Sequence, residues 1–158
     1  MISGFGGKNV RQEKMTRFIS TAEADRKWYI VDAKDQVLGR LASKVARIIR
    51  GKNKAIFSPN ADTGDFVVII NADKVKVTGK RALLKTYVHH SGYPGGLKTR
   101  SFEELMAKKP EFVIESAVKG MLPKNRLGNK LIKKLKVYTG ESHPHQGQKP
   151  ELISLTEK

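Results

Sequence analysis

The residues of this chain with chemistry to offer are a pair of aspartates, four histidines, a glycine-rich loop and a long run of lysines. Asp62 and Asp65 flank Thr63-Gly64, a spacing that could hold a cation or divide acid and base roles. Asp and Gly also favour tight turns, and no third carboxylate lies close in sequence to complete a hard-metal set. The turn is the preferred reading: the pair shapes the entry to the apolar segment that follows. His89 and His90 are adjacent, and neighbouring side chains on a strand leave on opposite faces, so one metal is hard for both to grip. His143 and His145 sit in a Pro- and Gly-bearing tail. Contact with RNA phosphates or bases suits these rings better than zinc. The chain has no cysteine, so thiolate catalysis, disulfides and Cys-based zinc sites drop out, and a reducing compartment is the simplest setting.

Gly92-Tyr93-Pro94-Gly95-Gly96 could cradle a phosphate, but it lacks the G-x-x-x-x-G-K-[ST] of a P-loop. No G-x-G-x-x-G follows the first strand either, so a nucleotide cofactor has no motif behind it. Two uses compete for the loop. It is either a plain solvent loop or a place where backbone comes close to RNA, with Tyr93 free to stack on a base.

Between Lys119 and Tyr138 the chain carries Lys119, Lys124, Arg126, Lys130, Lys133, Lys134 and Lys136 with no acidic residue. A solvated helix face normally mixes signs, because like charges three and four residues apart repel. Leu131, Ile132 and Leu135 alternate with the lysines, so one side is anchored while the other presents ammonium groups. An RNA-contact surface is the favoured reading over a solvated face. The whole chain agrees with it: the net charge of +16 over 158 residues self-repels and calls for a polyanion. Nucleic acid is the default polyanion and an anionic membrane surface the alternative. No stretch approaches the ~20 apolar residues of a membrane span.

These residues need a scaffold. Trp28-Tyr29-Ile30-Val31 is a short β-prone run, and Asp32 to Gln36 a polar turn. Leu38, Leu41, Ala42, Val45, Ile48 and Ile49 then recur at helical spacing, opposite Arg40, Ser43, Lys44, Arg47 and Arg50, with Gly51 placed to stop the helix. Phe66 to Ile70 is a continuous apolar run, as in a strand buried on both faces. Strand, helix and buried strand make a βαβ unit and set an α/β class. Lys74 to Thr78 alternates as an edge strand does, and Lys85 to His90 is a further strand candidate. Ser101 to Glu104 is a capping box opening a helix to about Lys109. Pro110 suits the first turn of the next helix, carrying Val113, Ile114, Ala117, Val118 and Met121. A third helical pattern spans Leu127 to Leu135, Val137-Tyr138-Thr139 adds a short strand, and the tail from Gly140 reads as irregular. Residues 1–26 read as a flexible arm, 27–152 as one domain and 153–158 as a tail. No signal-length apolar run opens the chain, and Glu13, Glu23 and Asp25 argue against an organellar transit peptide.

Several segments together resemble one family, the bacterial-type large-subunit ribosomal protein thirteen family. They are Trp28 to Ala33, Leu38 to Ala42, Asp62 to Asp65, Ile70 to Val75, Val77 to Gly79, Tyr87 to Gly96, Lys119 to Lys124, Leu127-Gly128 and Leu135 to Tyr138. Each is modest alone; in family order from Arg26 to Leu152 they are highly specific. The resemblance implies a three-layer α/β/α fold with a small, mostly parallel four-stranded sheet plus basic loops and extensions. It implies a structural constituent of the large ribosomal subunit, not an enzyme, that binds large-subunit ribosomal RNA and supports assembly and translation. Partners would be that RNA and neighbouring large-subunit proteins, with no cofactor, metal, membrane or small-molecule substrate and no homo-oligomer. The expected location is the cytoplasmic ribosome, with plastid and mitochondrial ribosomes left open. Expected RNA contacts are Arg40, Lys52, Lys54, Lys80, Arg81, His89, His90, Tyr93, Lys119, Lys124, Arg126, Lys130 and Lys133. An α/β enzyme acting on a phosphorylated small molecule is the rival. It would use the strand ends near Asp32 or Asn71-Ala72-Asp73. An architectural DNA binder is the third.

Overall fold

The computed structural model describes Ser20, Thr21 and residues 23–155. The arm expected over residues 1–26 and the tail over 153–158 therefore lie largely outside the described residues. The first strand, β1 (Trp28–Asp32), leads into helix α1 (Leu38–Arg50), and β2 (Phe66–Ile70) returns alongside β1 in parallel. The apolar stripe of α1 is buried as its spacing requires, with Leu41, Val45 and Ile49 inaccessible to solvent. Gly51 closes the helix at φ +80, where its N–H meets the Arg47 and Ile48 carbonyls, a left-handed cap that glycine takes without a Cβ penalty.

A short helix α2 (Arg81–Leu84) precedes two strands, β3 (Thr86–His90) and β4 (Leu97–Ser101). Helices α3 (Phe102–Lys108), α4 (Pro110–Met121) and α5 (Arg126–Leu131) follow, then β5 (Leu135–Val137) and β6 (Glu151–Leu152). The main sheet has the order β5-β2-β1-β6, and each pairing in it is parallel. The α/β class with a parallel four-stranded sheet is thus observed. Tyr29, Val31, Val67, Ile69, Leu135 and Val137 share the core with the buried faces of α1 and α4. On the alternate positions, Trp28 and Phe66 are register partners whose rings stack at 4.4 Å, and the His145 ring lies 5.1 Å from Trp28.

Four local expectations are corrected. Lys74 to Thr78 is not a strand: Ala72–Lys74 is a 3-10 turn, and one parallel bridge, Val37 to Lys76, replaces a ladder. Its partner segment turns into α1 directly afterwards, so pairing cannot extend. Leu135 opens a strand instead of closing a helix, because a 3-10 turn at Ile132–Lys134 ends the helical run early. The tail after Gly140 is not wholly irregular, since β6 pairs with β1 through Tyr29–Glu151 and Ile30–Leu152. The capping box is half made: Ser101 Oγ accepts the Glu104 N–H at 3.2 Å, but the Glu104 carboxylate goes to Lys108 at 2.8 Å.

The β3 strand has a partner that sequence reading left out. It pairs antiparallel with β4 in a separate hairpin, with Tyr87 opposite Arg100 and His89 opposite Lys98. Gly92 to Gly96 is its tip.

Candidate nucleic-acid interface

Helix α4 carries Pro110 at its first position, Glu111 in its first turn, and buries Val113, Ile114 and Val118. Phe112, Lys119, Gly120 and Met121 are left exposed. Three crevices follow one another along the side shared by Phe112, Ser116 and Lys119, and a fourth lies at Met121, which the helical repeat places about opposite Phe112. The first lies under the β3–β4 hairpin, is lined by Tyr87, His89, Lys98, Arg100, Lys109 and Phe112 among others, and holds about 310 Å³. The next shares Phe112 and adds Ser116, Lys119, Lys133 and Lys136, with about 610 Å³. A third shares Ser116 and Lys119 and reaches Lys124 and Asn129, with about 430 Å³. The last joins Met121 to Arg47, Arg50 and Lys52 at the end of α1, with about 480 Å³. Glu115 is the one acidic residue lining any of these four. A line of cations over apolar patches, following one helix, suits a backbone of phosphates with bases between them.

Two lysines of the basic set face inward. Lys134 is 4% exposed, bonds the Asp62 carboxylate and the Gly64 carbonyl, and sits 5.5 Å above the Phe66 ring. Burial pushes its pKa down, opposed by the bond to Asp62. Lys54 is held at 2.5 Å by both Asp65 Oδ1 and the Asp25 carbonyl. Asp65 Oδ1 also accepts the Lys27 N–H at 2.9 Å. The Asp62–Asp65 segment is not the tight turn expected: no turn forms over these residues, and the Asp65 N–H donates to the Ile48 carbonyl at the end of α1 at 3.3 Å. It is a clasp whose carboxylates hold lysines from two distant stretches. The reading of Lys134 as a presented ammonium is corrected: its partner, Asp62, comes from outside the basic run.

The strand ends favoured by the enzyme reading are occupied by the fold itself. The Asn71 carboxamide donates to Asp32 Oδ1 at 3.0 Å and accepts from Lys74 Nζ at 3.2 Å. The Asn71 and Ala72 amides donate to the Gly140 and Tyr138 carbonyls. Among the described residues, no group of three or more His, Cys, Asp or Glu could hold a metal, and no helix is long and apolar enough to cross a membrane.

The sequence pattern of the Ribosomal protein L13 family matches residues 26–144, from the Arg26 that leads into β1 to the Pro144 beside His145. The chain belongs to that family. A large ribosomal subunit protein uL13 from Syntrophomonas wolfei is 60% identical over 134 residues, covering 85% of this chain and 93% of that relative. One from Rippkaea orientalis is 64% identical over 129 residues, 82% of this chain and 85% of its own. One from Symbiobacterium thermophilum is 57% identical over 140 residues, 89% and 98% respectively.

Within this L13-family chain the expected contact residues divide clearly. His89, Lys119, Lys124 and Lys133 line the three crevices along α4, and Lys52 lines the separate one at the end of α1. Arg126 and Lys130 are exposed on α5 next to them, and His90 and Tyr93 are exposed at the hairpin end, Tyr93 at 77%. Arg40, Lys80 and Arg81 are exposed but line none of the four crevices. Lys54 is the one committed to a carboxylate. The expected contacts did not include Arg47, Arg50, Lys98, Arg100, Lys109 or Phe112, and Lys136 entered only as a member of the basic run. Lys98 and Arg100 carried a usable signal, since i and i+2 on a strand share a face. Phe112 carried none, because an aromatic near a helix start reads as core.

Proposed function

We propose that this L13-family chain is a structural, non-catalytic constituent of the large ribosomal subunit, holding folded ribosomal RNA against neighbouring proteins. The observation that carries this is the line of exposed cations along α4. Lys119, Lys124, Lys130 and Lys133 are exposed and have no ion-pair partner among the described residues. Such charge is costly to keep bare and is relieved by phosphates. The RNA-facing set is the crevice-lining Lys52, His89, Lys119, Lys124 and Lys133, joined by Arg126, Lys130 and the hairpin tip with His90 and Tyr93. Affinity comes from phosphate neutralisation and specificity from RNA shape and unpaired bases. The chain acts in the ribosome as a single copy and needs no cofactor.

The test is sedimentation of the full chain with large ribosomal subunits, followed by titration of its binding to purified large-subunit RNA. With six to ten phosphates engaged, affinity falls by about 10³–10⁵ between 50 and 200 mM salt. A nearly flat salt response removes the electrostatic mechanism, and equal affinity for duplex DNA removes the RNA preference.

A further inference from the structure

The crevice under the β3–β4 hairpin differs from the other three. Its walls are aromatic and apolar: Tyr87 and Phe112 meet edge to face, ring centroids 6.1 Å apart, with the buried Leu105 behind them. Phe112 is 46% exposed, so a large part of its ring has no cover. The Tyr87 hydroxyl is buried and has no hydrogen-bond partner among the described residues. Such an orphan costs about 1–3 kcal/mol and is rare in a finished protein. Lys98, Arg100 and Lys109 stand around the mouth, and no acidic side chain lines it.

We infer that this crevice receives one unpaired RNA base, stacked on Phe112, with its flanking phosphates on Lys98, Arg100 and Lys109, the hairpin shifting outward enough for the base's polar edge to reach the buried Tyr87 hydroxyl. The inference rests on the RNA-binding reading above and adds a subsite to it. Three features select a nucleotide over an apolar side chain of a neighbouring protein. The orphan hydroxyl needs a polar partner, which an aliphatic plug lacks. The cationic mouth attracts a charged strand on either side of the base. The volume, about 310 Å³, is at the small end of ligand sites, room for a planar ring and not for a folded segment. The chemistry matches how RNA is read by proteins generally: unstacked bases are splayed onto aromatic rings and hydrogen-bonded along their edges.

The hairpin that forms one wall is a two-stranded ribbon outside the main sheet. Such a ribbon has little stability alone. Seating a base between it and α4 would join the two, so the subsite also fixes the direction of the hairpin.

The experiment uses the full chain bound to purified large-subunit ribosomal RNA. Ultraviolet irradiation followed by mass spectrometry should find a nucleotide attached to the peptide carrying Tyr87 or the one carrying Phe112. Phe112→Ala should lose that adduct and weaken binding by about tenfold, with the salt slope unchanged because no cation has been removed. Phe112→Leu, which keeps the helix face apolar, should weaken binding in the same direction, separating loss of stacking from loss of fold. Tyr87→Phe should keep the stack and lose a fewfold in affinity. Full affinity in Phe112→Ala and Tyr87→Phe, or nucleotide adducts found only on peptides outside this crevice, would overturn the base subsite while leaving RNA binding intact. Failure of the unsubstituted chain to bind the RNA at all would sink the function and the subsite together.

Discussion

Lys133 and Lys134 follow one another in the chain, yet Lys133 lines the outer basic groove while Lys134 is buried on Asp62. The same division separates two regions of the molecule. In the Asp62–Asp65 clasp, lysines are structural cations, each bonded to a carboxylate and a backbone carbonyl. Along α4, Lys119, Lys124 and Lys133 are exposed and have no ion-pair partner among the described residues. A lysine does either job; what decides is whether the fold brings a carboxylate to meet it. Charge counted from sequence therefore overstates the RNA-facing surface by the members the clasp consumes.

The sharpest way to break this comparison is to remove one side of the clasp. Asp62→Ala strands the buried Lys134 ammonium, and a buried pair that loses one partner costs about 3–5 kcal/mol. Urea denaturation should show that loss. Adding Lys134→Met should recover most of it, since an apolar replacement for a buried pair is often neutral. A loss below about 1 kcal/mol in Asp62→Ala would be typical of an exposed pair and would mean that Lys134 swings out to water, erasing the distinction. In Gly64→Ala, a Cβ would lie 1.7 Å from the Ile49 carbonyl oxygen. It should disturb the same clasp by pushing it off the end of α1.

The outer lysines should respond the opposite way. Lys119, Lys124 and Lys133 changed together to alanine should leave stability within about 0.5 kcal/mol per site, as exposed substitutions do. The slope of log affinity against log salt for large-subunit RNA should fall by about 2–3, close to one per phosphate released. An unchanged slope with an altered unfolding midpoint would reverse the roles of the two regions.

The reason the two were hard to separate in the sequence is physical. Helix α1 and the buried strand β2 were legible because periodicity records burial directly, and Gly51 marks a stop by its backbone alone. The partners of Lys134 and Lys54 lie 72 and 11 residues away, and no local pattern records a pairing set by the sheet. Asp62-Thr63-Gly64-Asp65 read as a turn, yet none forms there, and its carboxylates hold Lys134 and Lys54 instead. The hairpin was half visible: Lys85 to His90 stood out as a strand candidate, while β4 carries Leu97, Lys98, Thr99, Arg100 and Ser101, all exposed, with no apolar face to announce a strand. The crevice under it joins residues from β3, β4, α3 and α4, so it exists only once the chain is folded.

A third kind of basic residue tests the comparison at its smallest scale. His145 lies against the sheet through Trp28, its Nε2 is 2.9 Å from the Tyr138 hydroxyl, and its backbone N–H donates to His143 Nδ1 at 3.2 Å. Burial pushes its pKa below the ordinary histidine value, and the charges of Lys136 and His143 push the same way. The neutral ring can meet the Tyr138 hydroxyl at Nε2 as acceptor or donor according to its tautomer, whereas the imidazolium can only donate. For a lowered pKa, the unfolded chain takes up the proton first as pH falls. Its stabilisation is complete above about pH 6.5 and is lost as pH drops through the folded value. The urea midpoint should therefore decline modestly from about pH 7.5 to 5.5, and His145→Gln should flatten that profile. Amide exchange at Ile153, whose N–H donates to the Ile30 carbonyl at 2.9 Å beyond β6, should quicken over the same range as the tail loosens. The salt slope for RNA should not change in His145→Gln, because none of the four crevices is lined by His145. A changed slope would move His145 from the structural region to the RNA-facing one.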